Sequence, residues 1–173
     1  MPADRTRAAQ RGFFLIEAMV AILIFALGIL GLVALGGTAV SSQSDAQYRT
    51  EASSLADAIA GEIALGINRT SEATKLATLA GFAHQPTPVP ATIPAPCTFA
   101  GAPINPVAAP GVAALLARAA NTTPNPGLPG ATAVNQQIFI DAPGNFNRVV
   151  ITLCWRTASD NAWRRHTLVT YIN

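Results

Sequence analysis

The chain has 173 residues, half of them hydrophobic and only 12% charged, which is a low charge content for a soluble protein. Its formal charge is +2, and residues 1–12, with three arginines and one aspartate, account for all of it, so residues 13–173 sum to zero. The sequence therefore indicates no basic surface that could neutralise many phosphates, and we expect no nucleic-acid partner.

A long apolar segment covers residues 13–40, in which Glu17 is the single charged residue. At about 1.5 Å per residue, a helix of this length spans roughly 42 Å, more than the ~30 Å hydrocarbon core of a bilayer. A cleaved secretory signal has a much shorter apolar core. The segment predicts a membrane-spanning helix, and the arginines just before it predict a cytoplasmic N-terminus and a periplasmic C-terminal part (Arg5, Arg7, Arg11).

The carboxylate of Glu17 is unusual at this depth, because an ionisable group inside an apolar span is costly and normally has a partner. The stretch RGFFLIEAMVAILIFALG resembles the class III signal of type IV pilins and of the pseudopilins of type II secretion systems. The resemblance implies that residues 1–12 are a leader peptide and that prepilin peptidase, also the N-methyltransferase, cuts between Gly12 and Phe13 and methylates the amine of Phe13. Glu17 becomes the fifth mature residue and is expected to determine methylation and to set filament register by pairing with a neighbour's N-terminal amine. The alternative is a tolerated polar residue that snorkels toward the headgroups.

The stretch ALGILGLVALGGTAVSSQSDAQYRTEASSLADAIAGEI resembles the PilV group of minor pilins. That resemblance implies a single-pass inner-membrane protein that passes into the pilus at the cell surface, with the major pilin and other minor pilins as partners. It implies a structural role in priming or supporting pilus assembly, and through it in adhesion and twitching motility. The alternative is an I-type pseudopilin of a type II secretion system, which serves protein export.

Residues 41–70 predict a continuation of the helix to about Asn68, because apolar side chains recur at three- and four-residue steps and form one stripe (Ala52, Leu55, Ala56, Ile59, Ala60, Ile63, Ile67). The remaining residues, 71–173, are expected to form a globular domain. Within it, residues 84–130 contain eleven of the thirteen prolines and predict mostly extended loop, with a short helix at 112–120. Four apolar residues there are expected to dock on a core (Ile93, Phe99, Ile104, Leu115).

Three segments near the C-terminus predict strands, because they are rich in β-branched and aromatic residues: QQIFID, NRVVITLCWR and WRRHTLVTYI. In the second segment alternate residues are apolar, which predicts that one face of that strand is buried (Val149, Ile151, Leu153, Trp155). TASDNA predicts a hairpin connection to the last strand. The expected class is α+β, with one long N-terminal helix packed on a C-terminal antiparallel sheet; the pilin fold is implied by the resemblance.

The two cysteines, Cys97 and Cys154, would lie in the periplasm, where disulfides persist, so we expect a bond between them; two buried free thiols are the alternative. The sequence contains no motif typical of a metal site, a nucleophile or a phosphate-binding loop, so we expect no metal, no cofactor and no enzymatic activity. His84 and His166 are expected at the surface. Trp163, Arg164 and Arg165 predict a charged strand edge that resists aggregation, with a contact to a partner pilin or to DNA as alternatives.

Overall fold

The structure of the protein is a computed structural model that describes residues 10–90, 97–120, 127–143, 146–157 and 162–173, with side chains from Phe14 onward. Contacts divide the chain into two compact units, one ending at Ala46 and one spanning Gln47–Asn173. Each unit is described by itself below.

A single helix, α1 (Gln10–Gly66), begins in the first unit and ends in the second. From Phe14 to Val40 every side chain is exposed, including Phe14 at 75% and Leu32 at 70%. Over this part the helix is long and apolar enough to cross a membrane, by length and composition. Among the described residues, nothing covers the apolar side chains of this part of the helix.

The second unit contains an antiparallel sheet of three described strands in the order β1 (Gln136–Asp141), β2 (Arg148–Trp155) and β3 (Arg164–Tyr171). β2 is central: its Ile151 lies opposite Ile138 of β1 and Leu168 of β3. Because side chains alternate between the two faces of a strand, these three residues lie on one face of the sheet.

The core of the second unit forms where α1 packs on that face of the sheet. The α1 stripe contributes Ile59 and Ile63, both fully buried, and the sheet contributes Ile138, Ile151 and Leu153, also fully buried. Two shorter helices complete this layer, α2 (Glu72–Ala80) through Leu79 and α3 (Pro110–Ala119) mainly through Val112 and Leu116. The predicted α+β layout, with a helix on an antiparallel sheet, is thereby confirmed.

Residues at the N-termini of the two shorter helices explain where each helix begins. Ser71 caps α2, since its hydroxyl accepts a hydrogen bond from the backbone N–H of Thr74 at 3.1 Å and relieves one of the unpaired donors of the first turn. Pro110 starts α3 at a position where its missing N–H costs nothing. The predicted helix at 112–120 corresponds to α3, whereas α2 was not predicted.

Two predictions need correction. The alternation in β2 predicted one buried face; that face is buried, but the opposite face is buried as well, and on it Cys97 and Phe99 pack against Cys154. His84, expected at the surface, is only 4% exposed. Of the four apolar residues expected to dock, Phe99 and Ile104 are buried and Leu115 is partly buried, while Ile93 lies outside the described residues.

Candidate functional site

Glu17 is an isolated carboxylate on the exposed apolar part of α1. The side chains one turn away on the same face are apolar, including those of Phe14 and Val20, which are 75% and 50% exposed. Among the residues whose side chains the structure describes, none forms an ion pair with Glu17. Among the described side chains, its charge therefore has no compensating partner.

Gly12 and Phe13 lie within α1, and their side chains are outside the described part of the structure. Phe13 precedes Glu17 by four residues, which is about one helical turn or ~6 Å along the axis. A new amine at Phe13 would therefore begin the helix one turn before the carboxylate. Whether the bond between Gly12 and Phe13 is cut stays a prediction.

Four glycines lie in the apolar part of α1, and no described residue packs closely against them. A Cβ added at Gly28, Gly31, Gly36 or Gly37 would meet nothing within 4 Å. Since a glycine in a helix interior costs about 1 kcal/mol relative to alanine, these positions lower helix stability, and no contact among the described residues compensates for it.

A disulfide joins Cys97 to Cys154 of β2, with 6.2 Å between the Cα atoms and both side chains buried. Hydrogen bonds reinforce this attachment: Asn135 Nδ2 donates to the carbonyl of Cys97 at 2.9 Å, and Gln136 Nε2 donates to that of Cys154 at 3.1 Å. Phe99 packs in the same cluster. The predicted bond is confirmed, and it fixes a proline-rich segment to the sheet.

His84 connects three parts of the second unit. Its Nδ1 accepts a hydrogen bond from the backbone N–H of Ile104 at 3.1 Å, so Nε2 carries the proton and donates to the carbonyl of Ala133 at 3.1 Å. Its backbone exchanges two hydrogen bonds with Ile138 of β1. Burial lowers the pKa of the imidazole below its usual 6.5, against the smaller opposing effect of the bond to Ala133.

The basic and aromatic cluster predicted near the C-terminus is arranged differently from its sequence order. Arg164 and Arg165 are consecutive on β3 and so point to opposite faces of the sheet. Arg165 lies opposite Cys154 on the face of the disulfide, where the guanidinium of Arg156 lies 5.2 Å from the ring centre of Trp163. Arg156, which the sequence argument left out, is thus the cation in contact with the indole.

The largely apolar cavity beside His84 has a volume of about 190 Å³ and is bordered by Ile104, Leu116 and several alanines and prolines. Both ring nitrogens of His84 are already hydrogen-bonded to the backbone, so the cavity offers no free base or nucleophile from that side chain. No group of three or more histidine, cysteine or acidic side chains among the described residues is arranged to hold a metal ion.

Comparison with known proteins gave no match to a family model, to a curated protein or to a solved structure. A function for the chain therefore has to be inferred from the N-terminal motif, from the exposed apolar helix and from the globular unit.

Proposed function

We propose that the chain is a type IV minor pilin of the PilV kind, a structural subunit that joins a filament through its N-terminal helix. The observation that carries the proposal is Glu17, which has no ion-pair partner among the described side chains and lies on the apolar, exposed part of α1, five residues after the glycine of a basic segment. A helix of this kind needs either lipid or other helices to cover it, and a buried carboxylate needs a cation.

A filament would supply both in succession. In the inner membrane, lipid covers residues 13–40, and cutting after Gly12 leaves the helix in place with a new α-amine at Phe13. In a bundle of such helices, the amine of one subunit compensates Glu17 of the next. Since removing one partner of a buried ion pair costs about 3–5 kcal/mol, a bundle in the wrong register is strongly disfavoured.

The globular unit fits an assembly role better than a catalytic one. Its polar side chains inside the core are used to hold backbone segments together, as with His84, Asn135 and Gln136. The partners would be prepilin peptidase during maturation and then the major pilin and other minor pilins.

The experiment is site-specific photo-crosslinking in cells, followed by mass spectrometry of the captured neighbours. The crosslinker is placed at Leu65, which is 84% exposed on α1, and in a control at Ile59 on the same helix, which is fully buried. Capture of pilins at Leu65 and little capture at Ile59 is the expected result. Capture of secretion pseudopilins would assign the chain to the export machine, and capture of neither class would overturn the proposal.

A further inference from the structure

The outer edge of β3 lacks a strand partner among the described residues. β3 pairs along its whole length with β2, from Arg164 opposite Trp155 to Tyr171 opposite Arg148. On its other side, from Arg165 to Tyr171, no strand among the described residues pairs with it. Residues 165–171 of this edge are a template for pairing with another strand.

The exposed side-chain row next to this edge contains one charged residue and no proline among its four members. Arg165, Thr167, Val169 and Tyr171 point to the same face, and all four are exposed, with Val169 at 47% and Tyr171 at 54%. The only charge in the row is at its N-terminal end, so the rest of the row lacks the charges and prolines that protect many natural edge strands.

The row is complementary to itself in one antiparallel register. If two copies of β3 pair about a twofold axis at Leu168, Arg165 lies opposite Tyr171 of the second copy and Thr167 lies opposite Val169. The first is a cation–aromatic pair and the second a β-branched pair, both favourable across strands. On the other face Leu168, which packs against the core, meets Leu168 of the second copy.

From this complementarity we propose that the β3 edge is a self-association surface, on which a second copy of this chain pairs its own β3 antiparallel about Leu168. No like charges face each other in this register, whereas an axis at Arg165 would oppose two arginines and shorten the overlap. The two sheets would join into one of six strands. This inference concerns the globular unit and holds whether or not the chain enters a pilus.

Mixed cysteine crosslinking of the full-length chain in detergent tests the register. One tagged sample carries Arg165→Cys and another, with a different tag, carries Tyr171→Cys; they are mixed and oxidised. Residues opposite each other have Cβ atoms about 4.5–5.5 Å apart, so the mixed pair should form a disulfide-linked dimer. Each sample by itself should not, since equal positions in the two copies are six residues apart along the strands, or roughly 20 Å.

A charge variant shows whether the dimer depends on this edge. Val169→Lys should reduce the mixed crosslink at least fivefold, because it places an ammonium beside the paired edge. Val107→Lys makes the same substitution at a valine that is 88% exposed and lies outside α1 and β3; it is the matched control and should leave the crosslink unchanged. The proposal is overturned if the mixed samples do not crosslink, if each sample crosslinks with itself equally well, or if Val169→Lys has no effect.

Discussion

At His84, a single uncharged tautomer satisfies two backbone groups at once, and this arrangement makes stability depend on pH. Protonation of Nδ1 would remove the acceptor for the Ile104 N–H and place a charge in an apolar surrounding. The folded-state pKa lies below the unfolded value of 6.5, so the unfolded chain binds more protons below about pH 6.5. Stability contributed by the neutral ring is thus complete above that pH and is lost as the pH falls toward the folded-state pKa.

We therefore expect the midpoint of urea unfolding to fall between about pH 7 and pH 5 for the full chain in detergent, followed by the fluorescence of buried Trp155. His84→Asn retains an acceptor for Ile104 but cannot take up a proton, so it should flatten this dependence while lowering stability at pH 7.5. His166→Asn leaves both ring hydrogen bonds of His84 in place and should preserve the slope attributed to His84. An unchanged slope in His84→Asn would contradict the assignment.

Gly130 occupies a position where the backbone conformation and a close neighbour both require glycine. Its φ of +60° lies in the left-handed region, and an added Cβ would approach the carbonyl oxygen of Arg156 to 2.5 Å. That carbonyl belongs to a residue held in place by the hydrogen bond from Arg156 N–H to Pro129 O at 2.9 Å. The position therefore tolerates no side chain without a backbone shift.

Gly130→Ala should lower the free energy of unfolding by about 2 kcal/mol or more, from left-handed strain of about 1–2 kcal/mol plus the clash. The control is Gly61→Ala on α1, where an added Cβ meets nothing, and it should raise stability by up to about 1 kcal/mol. Equal effects of the two substitutions in urea titrations would show that the backbone at Gly130 is not constrained.

Among the elements, the part of α1 that belongs to the second unit has a buried core face and an exposed outer face. Ile59 is fully buried against the sheet and Leu65 is 84% exposed, although both are large apolar residues on one helix. Ile59→Ala should cost about 2–5 kcal/mol because it leaves a cavity. Leu65→Ala should change stability by less than about 0.5 kcal/mol. Urea midpoints in detergent measure both, and similar losses would mean that α1 does not pack as described.

The disulfide attaches the proline-rich segment to the sheet, and this segment has the weakest helix and strand propensity in the globular unit. Closing a separation of 57 residues stabilises by about 4 kcal/mol in the chain-entropy model. The double variant with Cys97→Ala and Cys154→Ala should lose about this amount, and hydrogen exchange should increase first at Phe99, whose N–H donates to Val134 at 2.8 Å. Slow exchange retained at Phe99 would show that hydrogen bonds alone hold the segment.

Much of the element structure could be predicted from the sequence because it follows strong local patterns. The strands match to within one residue, since β-branched runs end at turn residues, and α1 ends at Gly66, two residues before the predicted Asn68. α2 was not predicted because it is short and buries only Leu79, so its apolar residues show no helical periodicity.

The contacts of His84 and of Arg156 could not be predicted in the same way. His84 lies in a proline-rich stretch without periodicity, and its partners are 20 and 49 residues away. Arg156 contacts Trp163 only because β2 and β3 pair in the observed register. Contacts of this kind depend on how distant backbone segments meet, which one sequence does not encode locally.

For the whole molecule, we expect Glu17 to be dispensable for folding and essential for assembly. Glu17→Gln keeps the size of the side chain and removes the charge that a neighbour's amine would need. It should leave urea unfolding of the second unit unchanged, because Glu17 contributes nothing to that core. Glu17→Gln should sharply reduce the amount of the chain in filaments sheared from the cell surface. An immunoblot that compares the sheared fraction with the membrane fraction measures this amount. Normal incorporation of Glu17→Gln would contradict the proposed pairing.

The central claim, that the chain is matured as a pilin, is tested most directly by the mass of its N-terminal peptide in protein extracted from membranes of its native host. The account predicts a chain that starts at Phe13 with a methylated amine, and a full-length, unmethylated chain when Gly12 is replaced by a bulky residue. A wild-type chain that retains residues 1–12, or one cut beyond the apolar segment, would contradict it.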